Sequence, residues 1–98
     1  MGWTITLEDE EGQAIQTLSK EFYYDELEQI KLDEFILLKY VDFYGDTTFN
    51  SLQLDDLITD LQKLKTILVI QIDTVEQIIE LARQSKDRVH TYIKFYGD

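Results

Sequence analysis

The heptapeptide YVDFYGD at residues 40–46 returns as YIKFYGD at residues 92–98, with tyrosine, an apolar residue, a charged residue, Phe-Tyr and Gly-Asp in the same order. β-Branched and aromatic residues of this kind are enriched in strands. We therefore predict that the two copies belong to two strands of one sheet that solve the same packing problem. The heptapeptide is repeated a single time, so the repeat does not indicate a solenoid.

The first copy closes the most apolar stretch of the chain, EFILLKYVDF at residues 34–43. Both alternating sets of side chains in this stretch are largely apolar, which predicts a strand inside the sheet over residues 35–43. Gly45-Asp46 then predicts a tight turn, and TTF at residues 47–49 a short return strand. Before the second copy ends, alternation of apolar and polar residues predicts a last strand over residues 89–96.

The N-terminal third begins with the alternating stretch GWTITLED, which predicts a half-buried strand over residues 3–8. AIQTLS at residues 14–19 is a candidate for its hairpin partner. KEFYYDELEQI at residues 20–30 is compatible with a short helix or with a loop that contains one helical turn. LVIQI at residues 68–72 leaves three alternatives open: the end of a helix, a stiff connector or a strand.

Two amphipathic helices are predicted in the C-terminal half. Leucine and isoleucine recur at three- and four-residue spacing over residues 52–67, and the capping-box pattern Asp73-Thr74-Val75-Glu76 opens a second helix over residues 74–87. The predicted fold of residues 1–98 is a single α+β domain of two layers, with a mixed or antiparallel sheet and two helices packed on one face.

The number of chain reversals between the two repeats sets their relative direction. If each short connection reverses the chain, the strands of the two repeats run parallel, and Val41 and Phe43 occupy core positions that match those of Ile93 and Phe95.

Charge is the strongest signal in the composition. Twenty acidic against nine basic residues give a net charge of -11, which opposes binding to nucleic acid or to anionic lipid and favours a basic protein partner. Residues 1–34 hold ten of the acids and two lysines. The start of the chain lacks a signal-peptide pattern and the longest apolar run is far shorter than a membrane span, so we expect a cytoplasmic protein with no membrane partner.

No catalytic set, metal ligand set or cofactor motif is recognised in the sequence. His90 is the only histidine and no Gly-x-Ser-x-Gly pattern is present, while the glycines lie scattered rather than in a phosphate-binding loop. The alternative enzyme hypothesis is a small cation-dependent hydrolase that uses Asp42, Asp46 and Asp98, because aligned repeats would bring both Gly-Asp pairs to one edge of the sheet.

Tyrosines supply the candidate partner-binding residues. Tyr40, Tyr92 and Tyr96 share a strand phase in the two repeats, which predicts one tyrosine-rich face opposite the helices. This face is covered by the segment Phe22-Tyr23-Tyr24 or by a second copy of the chain, or it is a partner site.

A second candidate site lies in the acidic segment FYYDELE. Here Tyr23 or Tyr24 would anchor a partner, surrounded by Asp25, Glu26 and Glu28.

YVDFYGDTTFNSLQ, followed by an acidic leucine-rich helix and a closing YIKFYGD, resembles a family of small standalone acidic bacterial proteins of unknown function. The shared pattern is apolar-Asp-x-Tyr-Gly-Asp-Thr-x-Phe-Asn with a final Phe-x-Gly-Asp; it covers residues 40–53 and 92–98 and implies no activity. In size, acidity and tyrosine content the chain is also similar to immunity proteins that neutralise basic bacterial toxins, a likeness of composition only.

These observations support a leading hypothesis and two alternatives. The first is an acidic, non-catalytic interaction module, immunity-like in one version, that binds a basic protein. The others are the cation-dependent hydrolase and a structural homodimer.

Overall fold

A five-stranded antiparallel sheet forms one layer of the protein, which the computed structural model describes over residues 2–97. The strands are β1 (Gly2–Asp9), β2 (Ala14–Thr17), β3 (Phe22–Tyr23), β4 (Thr47–Phe49) and β5 (Thr91–Tyr96). Their order is β2-β1-β5-β4, and the short β3 pairs with the first residues of β1. The predicted first strand, its hairpin partner and the last strand are thereby confirmed.

Two helices form the second layer, α1 (Leu54–Lys65) and α2 (Ile72–Lys86). Both lie close to the predicted ranges, and both bury their apolar stripes against one face of the sheet. The inward side chains of β1 and β5 are fully buried beneath them: Trp3, Ile5, Leu7, Ile93 and Phe95. The predicted two-layer α+β fold with both helices on one face is correct, and its sheet is antiparallel.

The start of each helix is held by a different device. Asn50 caps the 3-10 turn Ser51–Gln53 that leads into α1, and the Gln53 side chain accepts the Asn50 N–H. The capping box predicted at Asp73 does not form. The N-cap position of α2 is Gln71 instead, and the Asp73 carboxylate pairs with Lys20 at 2.5 Å.

The strand predicted over residues 35–43 is wrong. This stretch contains the 3-10 turn Leu38–Tyr40, and its backbone is bonded to a side chain of α1 rather than to another strand. The buried Asp60 carboxylate accepts N–H groups from Ile36 at 2.9 Å, from Leu37 at 2.7 Å and from Leu38 at 3.0 Å. One carboxylate therefore supplies the acceptors that a neighbouring strand would have provided.

Burial along this segment follows a spacing of three residues rather than two. Phe35 and Leu38 are buried in the core, whereas Ile36 is exposed. Val41 and Phe43 lie half-buried at the edge of the core, whereas Ile93 and Phe95 are fully buried. The prediction that the two pairs occupy matching core positions is therefore wrong.

Because residues 35–43 form no strand, the predicted parallel pairing of the two repeats is also wrong. The return strand β4 exists, but it pairs with β5 instead of residues 35–43.

Gly97 nevertheless lies beside the first Gly-Asp pair, Gly45-Asp46. The Gly97 N–H donates to Asp46 Oδ1 at 3.0 Å, and a Cβ atom at Gly97 would overlap the carbonyl oxygen of Gly45. Backbone against backbone at this distance requires a residue without a side chain. The repeat thus reflects a glycine-to-glycine junction beside the end of β5, while Asp98 lies outside the described residues.

Within residues 2–97, neither helix combines the length and the apolar character needed to cross a bilayer.

Candidate partner-binding surface

The predicted anchor segment, FYY at residues 22–24, is extended and places its side chains on alternate sides. Phe22 and Tyr24 are buried, and the Tyr24 ring packs edge-on against Trp3 with a centroid distance of 4.6 Å. Tyr23 faces outward and is 46% exposed, whereas Tyr24 is 2% exposed. Of the two tyrosines predicted as anchors, only Tyr23 is presented at the surface.

Glu26 holds the connection between α1 and α2 (the helix connection, residues 66–71). Its Oε2 atom accepts the N–H groups of Val69 at 2.9 Å and of Ile70 at 3.2 Å. An apolar connection of this kind has no regular partner for its backbone, so a carboxylate that takes two N–H groups orders it directly. Glu26 is therefore a structural residue of the surface as well as one of its acids.

Gln71 fixes the end of the helix connection to β3. Its side chain accepts the Tyr23 N–H at 2.6 Å and donates to the Tyr23 carbonyl oxygen at 3.0 Å, and the residue is buried. The amide thus imitates a neighbouring strand on both backbone groups of Tyr23. The exposed tyrosine and the helix connection consequently form one continuous surface.

The hydrogen bonds that Glu26 accepts also affect the pKa of its carboxyl. Partial burial alone would raise the pKa of its carboxyl, but the bonds from the N–H groups of Val69 and Ile70 and from Gln71 outweigh this effect and lower the pKa below its ordinary value. Glu26 is therefore ionised at neutral pH.

Val69 and Ile70 form an apolar ridge on the helix connection (the apolar ridge). Val69 is 81% and Ile70 is 78% exposed, although the N–H groups of both are bonded to Glu26. A hollow of about 550 Å³ lies between the ridge and residues 25–30, and a second of about 420 Å³ lies between Ile70 and β3. Adjacent β-branched side chains presented in this way are typical of an interaction site.

Asp25 and Glu28 are exposed, and Asp25 lines the larger hollow together with Glu26. Over residues 2–97, none of these three acids pairs with a lysine, an arginine or the histidine. Two acids of the helices differ, since Asp55 pairs with Lys86 and Glu76 with Lys65. The acids beside the ridge are thus left with uncompensated charge.

Only two of the three tyrosines predicted for the tyrosine-rich face lie on it. Tyr92 and Tyr96 lie half-buried on the face of β5 that points away from the helices, as their phase predicted. Tyr40 does not join them, because it lies in a 3-10 turn outside the sheet and is exposed. The predicted cover by residues 22–24 is wrong, since Phe22 and Tyr24 pack into the core on the helix side.

A buried carboxylate lies on this open face of the sheet. Glu8 accepts hydrogen bonds from the Tyr96 hydroxyl and, at 2.8 Å, from the Thr6 hydroxyl. The bond to Glu8, with desolvation and the nearby negative charge, raises the pKa of Tyr96 above its ordinary value. Both tyrosines of β5 lie beside β1, where Tyr92 pairs with Glu8 and Tyr96 with Thr4.

The aspartates of the hydrolase hypothesis are bound to backbone groups. Asp42 Oδ1 accepts the Tyr44 N–H at 2.8 Å, and Asp46 Oδ1 accepts the Gly97 N–H. Across residues 2–97, no group of three or more His, Cys, Asp or Glu side chains is arranged to hold a metal ion. The third residue of that hypothesis, Asp98, lies outside the described range.

Sequence reasoning missed Val69, Ile70 and Gln71 as members of the surface. The available signal was the run ILVIQI, which is too short for a helix and has no strand partner nearby in the sequence. What it could not reveal is that Glu26, more than forty positions earlier, would hold this run at the surface.

Comparisons of the chain with protein-family models, with curated proteins and with solved structures return no match.

Proposed function

We propose that the protein acts in the cytoplasm as an acidic, non-catalytic interaction module that docks on a basic protein through the apolar ridge and Tyr23. The observation that carries this proposal is the ordered exposure of Val69 and Ile70. Each side chain is about four-fifths exposed. The backbone of the helix connection is nevertheless held in place, because Glu26 accepts the Val69 N–H and Gln71 accepts the Tyr23 N–H.

Burial of the ridge would supply the favourable free energy of binding. Removing a valine or isoleucine side chain from water contributes roughly 1.5–3 kcal/mol. Tyr23 adds a rigid aromatic ring with a polar tip beside them, the residue type most often found among interface anchors. An apolar centre with a charged rim is the usual anatomy of a specific interface.

The acids determine which partner fits. The net charge is -11, and neither Asp25, which lies beside the ridge, nor the exposed Glu28 forms an ion pair within residues 2–97. A basic surface would be attracted over about 8 Å at physiological salt, which accelerates association. Immunity-like inhibition of a basic bacterial toxin is one form of this function, and it fits the likeness of composition noted above.

The partner can be identified by photo-crosslinking at a single position. We would introduce a photoreactive amino acid at Ile70 and, as a matched control, at Val89, which is 79% exposed but far from the helix connection in sequence. Crosslinking in the source cytoplasm should give a basic protein from position 70 and not from position 89. Crosslinks to copies of this chain alone would favour the homodimer instead.

Kinetics with the captured partner then test the mechanism. Ile70→Ser should raise the dissociation rate about 30-fold, which corresponds to about 2 kcal/mol, whereas Val89→Ser should leave it unchanged. The paired change Asp25→Asn with Glu28→Gln should slow association and weaken its dependence on salt. An unchanged dissociation rate in Ile70→Ser would overturn the ridge as the docking site.

A further inference from the structure

The larger hollow beside the apolar ridge has two chemically different parts. Its walls are the side chains of Ile30 and Ile67 and the flank of Val69, with Leu68 buried behind them. The carboxylates of Asp25 and Glu26 lie at its rim. A volume of about 550 Å³ lies within the range of pockets that receive a ligand group.

A long cationic side chain matches this division. Arginine and lysine place an apolar stem along an apolar surface while the charged end reaches polar groups. The carboxylates at the rim are both available to such a group. Glu26 uses Oε2 for the N–H groups of the ridge, while its Oε1 atom has a single 3.5 Å contact from Gln71, and Asp25 is exposed.

The charge at the rim is uncompensated. The hydrogen bonds that lower the pKa of Glu26 keep this carboxylate ionised. In the smaller hollow, by contrast, Lys20 already pairs with Asp73 at 2.5 Å. The larger hollow thus joins apolar walls to two carboxylates, those of Asp25 and Glu26, that form no ion pair within residues 2–97.

We infer that the hollow between residues 25–30 and the apolar ridge binds an arginine side chain of the partner. This inference rests on the proposed function and names the chemistry that the partner must present. Arginine fits better than lysine because a planar guanidinium lies flat against the isoleucine walls and offers separate N–H groups to Asp25 and Glu26 at once. An ammonium is more strongly hydrated and acts as a single point charge.

Short peptides test the hollow without the partner. The probes are acetyl-Gly-Arg-Gly-amide, its lysine analogue and its citrulline analogue, which keeps the shape of arginine without the charge. Amide chemical shifts of ¹⁵N-labelled protein report binding at each residue. The arginine peptide should saturate shifts at Gln29, Val69 and Ile70 at concentrations on the order of millimolar, several-fold below those needed for lysine, and citrulline should cause none.

A matched pair of variants separates the hollow from general attraction to an acidic protein. Asp25→Asn should weaken binding of the arginine peptide about five- to tenfold, while Asp56→Asn, an exposed acid on α1, should change it less than twofold. Equal weakening in both variants, or equal shifts with citrulline, would overturn the inference. Glu26→Gln is unsuitable as the main variant because Glu26 also orders the helix connection.

The two proposals fail in different ways. If the partner crosslinked at Ile70 binds normally while the arginine and citrulline peptides behave alike, the hollow is not an arginine site and the interaction module stands. If the arginine peptide binds as expected but no protein crosslinks at Ile70, the proposed function fails and the hollow remains a cation site.

Discussion

The buried side chain of Asp60 holds residues 36–38 against α1, so its removal should destabilise the fold. Its carboxylate is 2% exposed and accepts three consecutive backbone N–H groups from residues 36–38. Asp60→Ala removes the common acceptor, so every one of these groups must find water or remain unpaired. The Leu38 N–H is buried and has no route to solvent without local opening.

The magnitude follows from these three bonds. One buried N–H left unpaired costs about 1–3 kcal/mol, and the two partly buried groups recover some of their loss by bonding to water. Replacing aspartate by alanine in a helix returns up to about 0.7 kcal/mol of propensity. We therefore expect a net loss of about 2–4 kcal/mol, a large share of the 5–15 kcal/mol typical of a domain.

Asp56→Ala is the matched control, because Asp56 lies on the same helix, is exposed and gains the same propensity. Its loss of a favourable charge in the first turn costs about 0.3–1 kcal/mol, so the control should be close to neutral. The assay is urea unfolding followed by the fluorescence of Trp3, the only tryptophan, with an unchanged m-value as the condition for comparison.

Hydrogen exchange gives the result that would refute the reasoning. In Asp60→Ala the amides of residues 36–38 should exchange much faster while those of β5 keep their relative protection. If these amides stay protected, or if Asp60→Ala and Asp56→Ala differ by less than about 1 kcal/mol, then Asp60 does not hold this segment.

Three further outcomes are expected. Tyr24→Phe should be neutral or stabilising by up to about 1 kcal/mol in urea unfolding, because the buried hydroxyl has no hydrogen-bond partner within residues 2–97; a clear loss would reveal one. Gly97→Ala should lower the free energy of unfolding by about 1–3 kcal/mol, and by more than Gly45→Ala does. A Cβ atom at position 97 meets the backbone of Gly45, whereas one at position 45 meets only the flexible Asp42 carboxylate, and equal losses would contradict this reasoning. On acidification, the hydrogen bonds that Glu26 accepts from the helix connection should persist through the ordinary glutamate range, because the lowered pKa of the folded state keeps their contribution until the pH falls through that pKa. The Val69 amide shift should therefore titrate below the ordinary glutamate range, and a midpoint within that range would contradict the assignment.

The fold was predictable where local pattern and burial agree. Alternation in β5 and three- and four-residue spacing in α1 and α2 each match the face that is buried, and the alternating apolar residues of β1, Trp3, Ile5 and Leu7, all lie in the core. These elements were found at nearly correct bounds, and with them the two-layer architecture.

Residues 35–43 were misread because an apolar run carries no period of its own. Continuous apolar character is equally compatible with a buried strand and with turns that bury every third side chain. Asp60, which decides between them by accepting the N–H groups of this segment, lies more than twenty positions later in α1. Asp60 is one of many acids in the chain, and no sequence motif distinguishes it as the acceptor of these N–H groups.

The acids and the exposed tyrosine of the candidate site were predicted from the sequence, but its apolar ridge was not. Tyr23, Asp25 and Glu28 lie at the surface where an acidic anchor segment was expected, whereas Tyr24 turned out to be buried because an extended backbone alternates its side chains. The apolar ridge lies over forty residues away along the chain, and only the bonds from Glu26 and Gln71 bring it beside them.

The acidic excess of this chain serves two purposes that a net charge cannot separate. Asp60, Glu26 and Asp46 accept backbone N–H groups of irregular segments, so their charge is used inside the fold. Asp25 and Glu28 accept no hydrogen bond from within residues 2–97 and pair with no cation there, so their field extends into solvent. Replacing acids indiscriminately would therefore confuse unfolding with loss of steering, and only amide substitutions at the second kind of acid can measure attraction to a partner. Since Asp25 lies beside the apolar ridge, the surface that attracts a basic protein is also the surface able to bury apolar area against it.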